Sequence, residues 1–285
     1  IGFGSHIQIS NYDDNNSYES RPIEKEQKFL NVLKSNPEIK HIQVFATKPA
    51  IVKSSDQIEG VVCKGIGSDF DWTYFRDHLK SGKIFSANDS LASDSVVISE
   101  MLAKKLKLKA GDDLITFFIQ QPPRARRFHI AGIYNTGLEE FDKLYMFCDI
   151  GQIQKLNDWD KSQIGGYEIA INNFDNVDYV GEEVYHLVPS ELNARTIKEI
   201  YPQIFDWLGL QNINAIIIIT LMIVVSGMNM ISALLIIILE RVNMIGMLKA
   251  LGSPNFSIRK VFIYLAAFLT GKGLLWGNII GLSCI

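Results

Sequence analysis

The side chains that could carry out catalysis are scattered along this 285-residue chain and do not form a catalytic motif. The sequence has no G-x-x-x-x-G-K-S/T phosphate loop, which excludes ATP hydrolysis by that route on this chain. The patterns H-E-x-x-H and G-x-S-x-G are missing as well. Gly65 and Gly67 alone are too weak a pattern for nucleotide binding, and a turn explains them. Single histidines are typical of ordinary surface or core positions, and they are His6, His41, His78, His129 and His186. The sequence therefore gives little support for an enzyme.

The cysteines do not form a metal site or a disulfide framework. Cys63, Cys148 and Cys284 are widely separated, unlike the cysteines of a disulfide-rich domain or a C-x-x-C zinc site. One bridge between Cys63 and Cys148 in an oxidising compartment is left open. We expect no metal and no cofactor held by this chain itself.

Charge is distributed very unevenly. Residues 1–206 carry a net charge of −7, whereas residues 207–285 carry +4, with Glu240 as their single acid. A nucleic-acid-binding domain needs a basic surface to neutralise phosphates. The acidic first part therefore makes a nucleic-acid partner an unfavourable hypothesis.

A long apolar segment occupies residues 215–239. No charged residue lies between Trp207 and Leu239. Twenty-five residues of helix reach about 37 Å, enough to cross a hydrocarbon core about 30 Å thick. A buried helix of a soluble protein rarely lacks a polar stripe over this length. We therefore predict a transmembrane helix.

A second apolar run, residues 261–285, contains one charged residue, Lys272. We predict a second, truncated transmembrane helix, in which Lys272 must face an interface, reach water by snorkelling, or pair. Gly273, Gly277 and Gly281 recur every four residues, which would let a neighbouring helix approach closely. The alternative is that glycine is simply common in such helices. Because the chain does not start with Met and stops inside this run, we expect a piece of a longer protein without a signal peptide.

The segment between the two spans, residues 240–260, predicts the orientation. It has four basic residues against one acid, and short basic loops favour the cytoplasmic side. Residues 1–206 would then lie outside the cytoplasm, which is the periplasm in a bacterium with two membranes. Arg241–Leu251 has apolar residues at helical spacing and is followed by Gly252 and Pro254, a usual helix stop. We predict a helix on the membrane surface or docked on a partner.

The outer part has the pattern of a mixed α+β domain, residues 1–192. Strands come in runs and do not alternate strictly with helices. Alternation predicts strands at His6–Ser10, Gln43–Lys53, Gly60–Gly65, Val96–Ser99, Asp113–Ile119, Arg127–Tyr134, Tyr145–Asp149 and Tyr167–Ile171. Helical spacing predicts helices at Glu24–Leu33, Trp72–Leu79, Glu100–Lys107, Ile150–Leu156 and Val177–Leu187. Residues 193–214 predict a stalk helix, interrupted at Pro202, that leads into the first span.

The connection between two of these strands contains paired prolines, Pro122 and Pro123, which stiffen it. Gln121 lies beside them, and we expect Arg124, Arg126 and Arg127 to project from the connection. As a plain hairpin loop the segment needs no function. As a protruding, preorganised loop it would be a contact for a protein partner or for lipid headgroups.

Residues 240–260 read ERVNMIGMLKALGSPNFSIRK. This segment resembles the signature of the FtsX/MacB-like permeases, which are membrane subunits of ABC transporters. Met244 departs from it where an acid is usual, and Ser253 where alanine is usual. The matching positions are Glu240, Arg241, Ile245, Gly246, Leu248, Lys249, Ala250, Leu251, Gly252 and Ile258.

The rest of the chain resembles one subgroup of that family. Residues 96–114 and 126–147 are similar to the periplasmic domain of the lipoprotein-releasing LolC/LolE type. Residues 1–10 are similar to the segment just after that type's first transmembrane helix. The resemblance implies a multi-pass permease of the bacterial inner membrane with four such helices, of which this piece holds the second and third.

The family resemblance also implies partners and a mechanism. ATP would be bound by a separate ATPase chain that pushes on the helix at 241–251, and a second permease copy or paralogue would complete the membrane part. A lipoprotein would be expelled to a periplasmic carrier, and the loop at 120–127 matches the place of a carrier-recruiting loop but is shorter. The residues implied in ATPase coupling are Glu240, Arg241, Ile245, Gly246, Leu248, Lys249 and Gly252.

Three other functions stay open beside lipoprotein release. One is a mechanotransmitting FtsX-type regulator, which moves no substrate and switches a periplasmic partner such as a cell-wall hydrolase. Another is an efflux permease working with an outer-membrane channel, although such members usually carry the ATPase on the same chain. A membrane-anchored enzyme is the last, and a substrate-shaped polar pocket in the outer domain would favour it.

Overall fold

The acidic and apolar parts of the chain form two units, Ile1–Pro202 and Gln203–Ile285, in the computed structural model. The structure describes residues 5–12, 17–54, 57–87 and 92–283. Residues 1–4 of the opening segment, Cys284 and the last residue of the 261–285 run lie outside the described residues. The first unit is an α+β domain and the second is built of long apolar helices, which confirms the expected fold class.

Strands and short helices follow one another in the first unit, and long helices form the second. The strands are β1 (Ile7–Asn11), β2 (Ile23–Glu24), β3 (Ile39–Lys53), β4 (Ile58–Ile66), β5 (Leu79–Gly82), β6 (Ser95–Ser99), β7 (Asp113–Phe118), β8 (Arg124–Tyr134), β9 (Tyr145–Asp149), β10 (Gln163–Ile164), β11 (Gly166–Ile171) and β12 (Leu192–Thr196). The helices are α1 (Phe29–Ser35), α2 (Thr73–Asp77), α3 (Glu100–Leu106), α4 (Glu139–Leu144), α5 (Ile150–Asn157), α6 (Val177–Leu187), α7 (Ile197–Ile200), α8 (Pro202–Glu240), α9 (Val242–Ala250) and α10 (Asn255–Ser283).

Within the described residues, ten strands form one mixed sheet. Its order is β12-β1-β11-β3-β4-β9-β6-β8-β5, with β7 paired to β3 and β8. β4 and β9 are parallel neighbours in the middle of the sheet. Both are largely buried, so they read as nearly continuous apolar runs such as Tyr145–Cys148.

The two faces of the sheet carry different cores. One face packs aliphatic side chains against helices, for example Leu102 of α3, Ile153 of α5 and Val180 of α6. The other face carries an aromatic cluster, which includes Phe70, Trp72, Phe75, Phe85, Tyr134 and Phe147. Alternation along each strand separates the two sets.

The aromatic face also holds a buried ion pair. Lys64 Nζ lies 2.6 Å from Glu168 Oε1, and the two side chains are 6% and 5% exposed. Gln43 Nε2 donates to the other Glu168 oxygen at 2.9 Å. Buried charges need such partners because an unpaired charge away from water is very costly.

Two predicted helices are shorter than the sequence pattern suggested. The helix predicted at Glu24–Leu33 begins at Phe29, because Ile23–Glu24 pairs with Gln163–Ile164 as a small separate ladder. The helix predicted at Trp72–Leu79 ends at Asp77, because Leu79–Gly82 pairs with β8 at the edge of the main sheet. Both differences come from pairing with distant strands.

The stalk helix predicted at 193–214 is wrong at its start. Leu192–Thr196 is a strand that pairs with β1. Thr196 and Glu199 then form a reciprocal capping box that begins the four-residue helix α7. The predicted interruption at Pro202 agrees with the structure, because α7 ends at Ile200 and Pro202 is the first residue of α8, where its missing N–H and fixed φ are favourable.

The second unit has two helices long and apolar enough to cross a membrane. α8 joins the rest of the predicted stalk and the first predicted span into one continuous helix of 39 residues, about 58 Å long. α10 begins at Asn255, six residues before the predicted start of the second span. Thr270 Oγ1 of α10 lies 3.5 Å from Met230 Sδ of α8.

Candidate functional site

α9 is a short helix held between the two long ones. α8 ends at Glu240, and the Arg241 N–H donates to the carbonyls of Ile237 and Ile238 at 3.2 and 3.1 Å. Arg241 has non-helical backbone angles, so the chain changes direction there and α9 starts at Val242. Glu240, Arg241 and Lys249 are all exposed.

The two sides of α9 differ in chemistry. Met244, Ile245 and Leu248 are half-buried and share one side of the helix. α9 also contacts α10, whose Ile258 is buried. The opposite side is exposed and is centred on the small residues Gly246 and Ala250, one turn apart. Val242 and Met247 flank that side and are 51% and 63% exposed.

Gly246 has room for a close neighbour. A Cβ added there would meet nothing within 4 Å. A glycine followed by alanine one turn later lets another backbone approach the helix closely. The exposed side of α9 therefore has the shape of a helix that fits into a groove on another protein.

Gly252 is required by the geometry of the stop signal. Its N–H donates to Lys249 O at 3.0 Å, and the Ser253 N–H donates to Leu248 O at 3.0 Å, which together form a Schellman cap. Gly252 has φ +86°, a conformation that is strained for any residue with a Cβ. This glycine fixes the angle at which α9 passes into α10.

The predicted packing glycines of α10 face open space. A Cβ at Gly273, Gly277 or Gly281 would meet nothing within 4 Å. Lys272 Nζ lies 5.1 Å from the Phe268 ring centroid, so Phe268 of the same helix is a cation–π partner of Lys272. The close helix approach that these glycines would permit stays a prediction.

The loop with the two prolines is a short β-hairpin connection, residues 119–123, between β7 and β8. Gln121, Pro122 and Pro123 are exposed, and the Gln121–Pro122 peptide bond is cis. Arg126 is half-buried, with its guanidinium donating to the carbonyl of Ala125.

Arg124 does not project from this loop. Its guanidinium donates to the carbonyls of Lys155 and Leu156 at 3.1 and 3.0 Å, and it pairs with Asp158 at 2.9 Å. These are the last carbonyls of α5, where a cation is favourable. The Arg124 pair holds the pKa of the Asp158 carboxyl below its usual range. Arg124 therefore fastens the hairpin to the domain.

An exposed apolar strand face lies beside the loop, and the sequence analysis did not identify it. Ile115, Phe117 and Ile119 are 48%, 39% and 65% exposed. Ile115 pairs with Lys53, which also pairs with Ile58, so these side chains share the outer face. We call Ile58, Ile115, Phe117 and Ile119 the hairpin apolar face. The signal was present in β7, where two of the three outward positions, Ile115 and Phe117, are apolar, whereas a solvated strand carries polar residues there.

The outer domain offers no enzyme-like constellation among the residues that the structure describes. An open cleft of about 510 Å³ between α3 and β5 has Lys80, Lys104, Lys107 and Lys109 among its lining residues, together with Ala103, Leu108 and Ile133. No group of three or more His, Cys, Asp or Glu residues that could hold a metal ion occurs in the described ranges. Three histidines hold backbone groups: the His6 ring accepts from Ile171 N–H, and the rings of His41 and His78 bond to the carbonyls of Asp69 and Tyr74.

The segment that contains α9 and most of both long helices, residues 216–285, matches the FtsX-like permease C-terminal family. The chain carries an FtsX-like permease domain. The resemblance expected from the sequence is thereby confirmed for residues 216–285, and the chain is similar at low identity to LolC/LolE and YknZ permeases.

Two curated relatives extend the similarity into the outer domain. The lipoprotein-releasing system transmembrane protein LolE of Haemophilus influenzae is 22% identical over 261 residues, 88% of this chain and 61% of LolE. The uncharacterized ABC transporter permease YknZ of Bacillus subtilis is 24% identical over 222 residues, 73% of this chain and 54% of YknZ. The chain thus spans between half and two thirds of the length of these relatives.

Among solved structures, the outer domain is similar to the periplasmic region of MacB from Actinobacillus actinomycetemcomitans. That similarity has a TM-score of 0.45 and 17% identity, and it covers 70% of this chain and 92% of that one. The extracellular domain of YknZ gives a TM-score of 0.44 at 16% identity, covering 67% of this chain and 99% of that one.

Proposed function

We propose that this chain is the permease subunit of an ABC transporter that releases lipoproteins from the inner membrane to a periplasmic carrier. The single observation that carries the proposal is α9, a short exposed helix between two candidate membrane helices in a chain similar to LolE over 88% of its length. ATP would be hydrolysed on a separate ATPase chain. This chain would supply the membrane path and the coupling contact, and no catalytic residue.

The contact with the ATPase would be made by the exposed side of α9. Gly246 and Ala250 would let the helix sit deep in a groove, and Val242 and Met247 would fill its walls. Arg241 and Lys249 would pair with acidic groups at its rim. The cap at Gly252 would keep α9 at a fixed angle to α10 while the ATPase moves.

Lipoprotein release needs such coupling because a lipid anchor is costly to extract. Each buried CH₂ contributes about 0.8 kcal/mol, so one acyl chain binds the membrane reversibly and each further chain strengthens the anchoring greatly. An anchor with several chains would not leave the bilayer at a useful rate without an energy source. A soluble carrier would then accept the acyl chains outside the membrane.

The hairpin apolar face is the surface that best suits the recruitment of such a carrier. It is exposed, it lies on a hairpin fastened by Arg124, and Gln121–Pro123 form its tip. The same proposal includes three further points. The protein lies in the inner membrane, its α+β domain faces the periplasm, and a second permease copy completes the membrane part.

A second candidate is supported by the match to YknZ, whose identity to this chain is as high as that of LolE. YknZ carries no lipoprotein-releasing name, so a permease with another substrate, or a mechanotransmitting regulator of a periplasmic partner, fits the same α9. The two candidates differ in whether a lipoprotein leaves the membrane.

The deciding experiment uses the full-length protein with its ATPase in proteoliposomes that contain a tagged lipoprotein. We expect ATP and a soluble carrier together to release the lipoprotein, with neither sufficient alone. ATP hydrolysis without release, in the presence of a competent carrier, would favour the second candidate.

The coupling contact is tested with Gly246→Trp, which places a large side chain where this chain itself leaves open space. Release should fall at least tenfold while the amount of folded protein is unchanged. Gly209→Trp is the matched control, since a Cβ at Gly209 also meets nothing within 4 Å but lies near the start of α8. Unchanged coupling in Gly246→Trp would contradict the role of α9.

The carrier contact is tested with Ile119→Ser on the hairpin apolar face. Pull-down of the carrier should weaken, whereas Tyr179→Ser, at a 71% exposed position on α6, should leave it unchanged. Arg124 is unsuitable for this test because its loss would also free the hairpin from α5.

A further inference from the structure

Two cysteines that are far apart in sequence meet in the middle of the sheet. Cys63 lies on β4 and Cys148 on the parallel neighbour β9, where Cys63 is opposite Met146 and Gly65 is opposite Cys148. The two sulfur atoms are 2.8 Å apart. Non-bonded carbon atoms lie about 3.5–4.0 Å apart at their optimum, and sulfur is the larger atom. Both cysteines are free in this structure, and their sulfur atoms lie closer together than an ordinary non-bonded contact.

Both side chains are fully buried on the aliphatic face of the sheet. Cys63 and Cys148 have 0% exposure and belong to the same core as Val61 and Met146. In that setting a pair of free thiols gains little, because thiols form only weak hydrogen bonds. The sulfur separation is about 0.8 Å greater than the roughly 2.05 Å of a bonded pair, so the two sulfurs are within reach of each other.

We propose that Cys63 and Cys148 are joined by a disulfide bond in the mature protein. The proposal rests on the periplasmic placement of the outer domain, because disulfides persist outside the reducing cytoplasm. The bond would tie β4 to β9, the two strands at the centre of the sheet, and close a loop between residues 85 positions apart.

The bond requires an oxidant of the disulfide class, either a protein or a small molecule, outside the cytoplasm. The thiolate of one cysteine attacks the oxidant's S–S bond, which gives a mixed disulfide and expels one thiolate of the oxidant. The thiolate of the second cysteine attacks the mixed disulfide and expels the other. The two cysteines lose two electrons and two protons, and the oxidant is reduced to two thiols.

The exchange belongs to the folding of the domain and not to its finished state. Neither sulfur is accessible once the sheet is covered. Burial also raises the pKa of the Cys148 thiol, so the attacking thiolate is disfavoured in the folded protein. We therefore expect a bond that forms once and resists reducing agents until the domain unfolds.

The test counts free thiols in the full-length protein carrying Cys284→Ala, or Ala at every cysteine other than Cys63 and Cys148 if the full length adds more. Membranes are quenched with acid, denatured and alkylated with maleimide-polyethylene glycol. We expect no gel shift without a reductant and two shifts after reduction. Two shifts without a reductant, or a band of twice the mass on a non-reducing gel, would overturn the proposal. With Cys148→Ala added, one shift without a reductant is expected.

A second arm separates this proposal from the proposed orientation. Tyr179→Cys is introduced at an exposed position of the outer domain, and intact spheroplasts are treated with a membrane-impermeant maleimide. Labelling at position 179 in Tyr179→Cys, together with free Cys63 and Cys148 thiols, would overturn the disulfide proposal and leave the orientation supported. Absence of labelling until the membrane is opened would overturn the orientation, and the disulfide with it.

Discussion

Truncation of Tyr201 to alanine should loosen the outer domain at the point where α8 begins. The Tyr201 ring lies 4.9 Å from the Phe141 ring centroid at 76°, an edge-to-face contact. Its hydroxyl lies 3.2 Å from the Tyr145 hydroxyl. Burial raises the pKa of Tyr201, so this hydroxyl stays protonated at neutral pH and is able to donate. Tyr201 is the last side chain before Pro202 starts the long helix.

The magnitude follows from these contacts. Truncation of a fully buried aromatic residue costs about 3–5 kcal/mol, and Tyr201 is only half-buried, which halves that figure to about 2 kcal/mol. Loss of the hydroxyl contact adds about 1 kcal/mol. A local loss of about 3 kcal/mol corresponds to roughly a hundredfold change in a local opening equilibrium. Tyr201→Phe should keep the ring contact and lose only the last term, a change of about fivefold.

The assay is hydrogen exchange of the full-length protein, read in peptides that cover α7 and β9. We expect exchange in these peptides to speed up roughly a hundredfold in Tyr201→Ala and only severalfold in Tyr201→Phe. Tyr179→Ala, the same truncation at an exposed position, is the control. If the proposed function is correct, lipoprotein release should fall while ATP hydrolysis continues. Exchange within threefold of the unmodified protein in Tyr201→Ala would refute the reasoning.

Three further substitutions probe other parts of the chain. Glu168→Gln leaves the buried Lys64 ammonium without its carboxylate and should lower the free energy of unfolding in urea by about 3–5 kcal/mol. Lys64→Met with Glu168→Leu should restore most of that loss, and an equal loss would contradict the argument. Gly252→Ala forces a Cβ into φ +86° and should cost about 1–2 kcal/mol at the α9–α10 turn. The amount of lipoprotein released per ATP hydrolysed should then fall, with Gly209→Ala as the control, since a Cβ at Gly209 meets nothing within 4 Å. Burial raises the pKa of the Asp69 carboxyl, so the folded protein holds this proton more tightly than the unfolded chain does. The stability that this gives at low pH is lost as pH rises from the ordinary carboxyl pKa of about 3.9 through the higher folded value. Asp69→Asn should remove this decline in the free energy of unfolding, which is measured in urea at pH 4 and at pH 7. The same decline in the unmodified protein and in Asp69→Asn would contradict the argument.

The parts of the fold that the sequence predicted are those with strong local patterns. β9 and α6 appear with the predicted bounds, because a buried strand gives a continuous apolar run and an amphipathic helix gives regular spacing. The sequence also predicted α9 and the residue at which it ends, since a glycine at C′ followed by proline is a local signal. The two candidate spans were predicted from composition alone.

What the sequence did not predict depends on contacts between distant residues. β12 was read as helix because its pairing with β1 joins residues about 190 positions apart, and no local window contains that information. Arg124 was read as a projecting cation, whereas its partners are the carbonyls at the end of α5. The meeting of Cys63 with Cys148 is of the same kind, because the order of strands in the sheet decides it.

The corrected start of α8 matters for the proposed mechanism. The predicted stalk at 193–214 was interrupted at Pro202, because an internal proline removes a backbone hydrogen bond and bends a helix. With Pro202 as its first residue, α8 runs to Glu240 without an internal proline, and Thr220 and Ser232 donate to carbonyls one turn back, at 2.8 and 3.1 Å. Under the proposed function, such a helix would transmit a displacement of α9 along its length with little bending. Any bending between α9 and the α+β domain would then occur at the two ends of α8. One end is the turn at Arg241, and the other is held by the contacts of Tyr201.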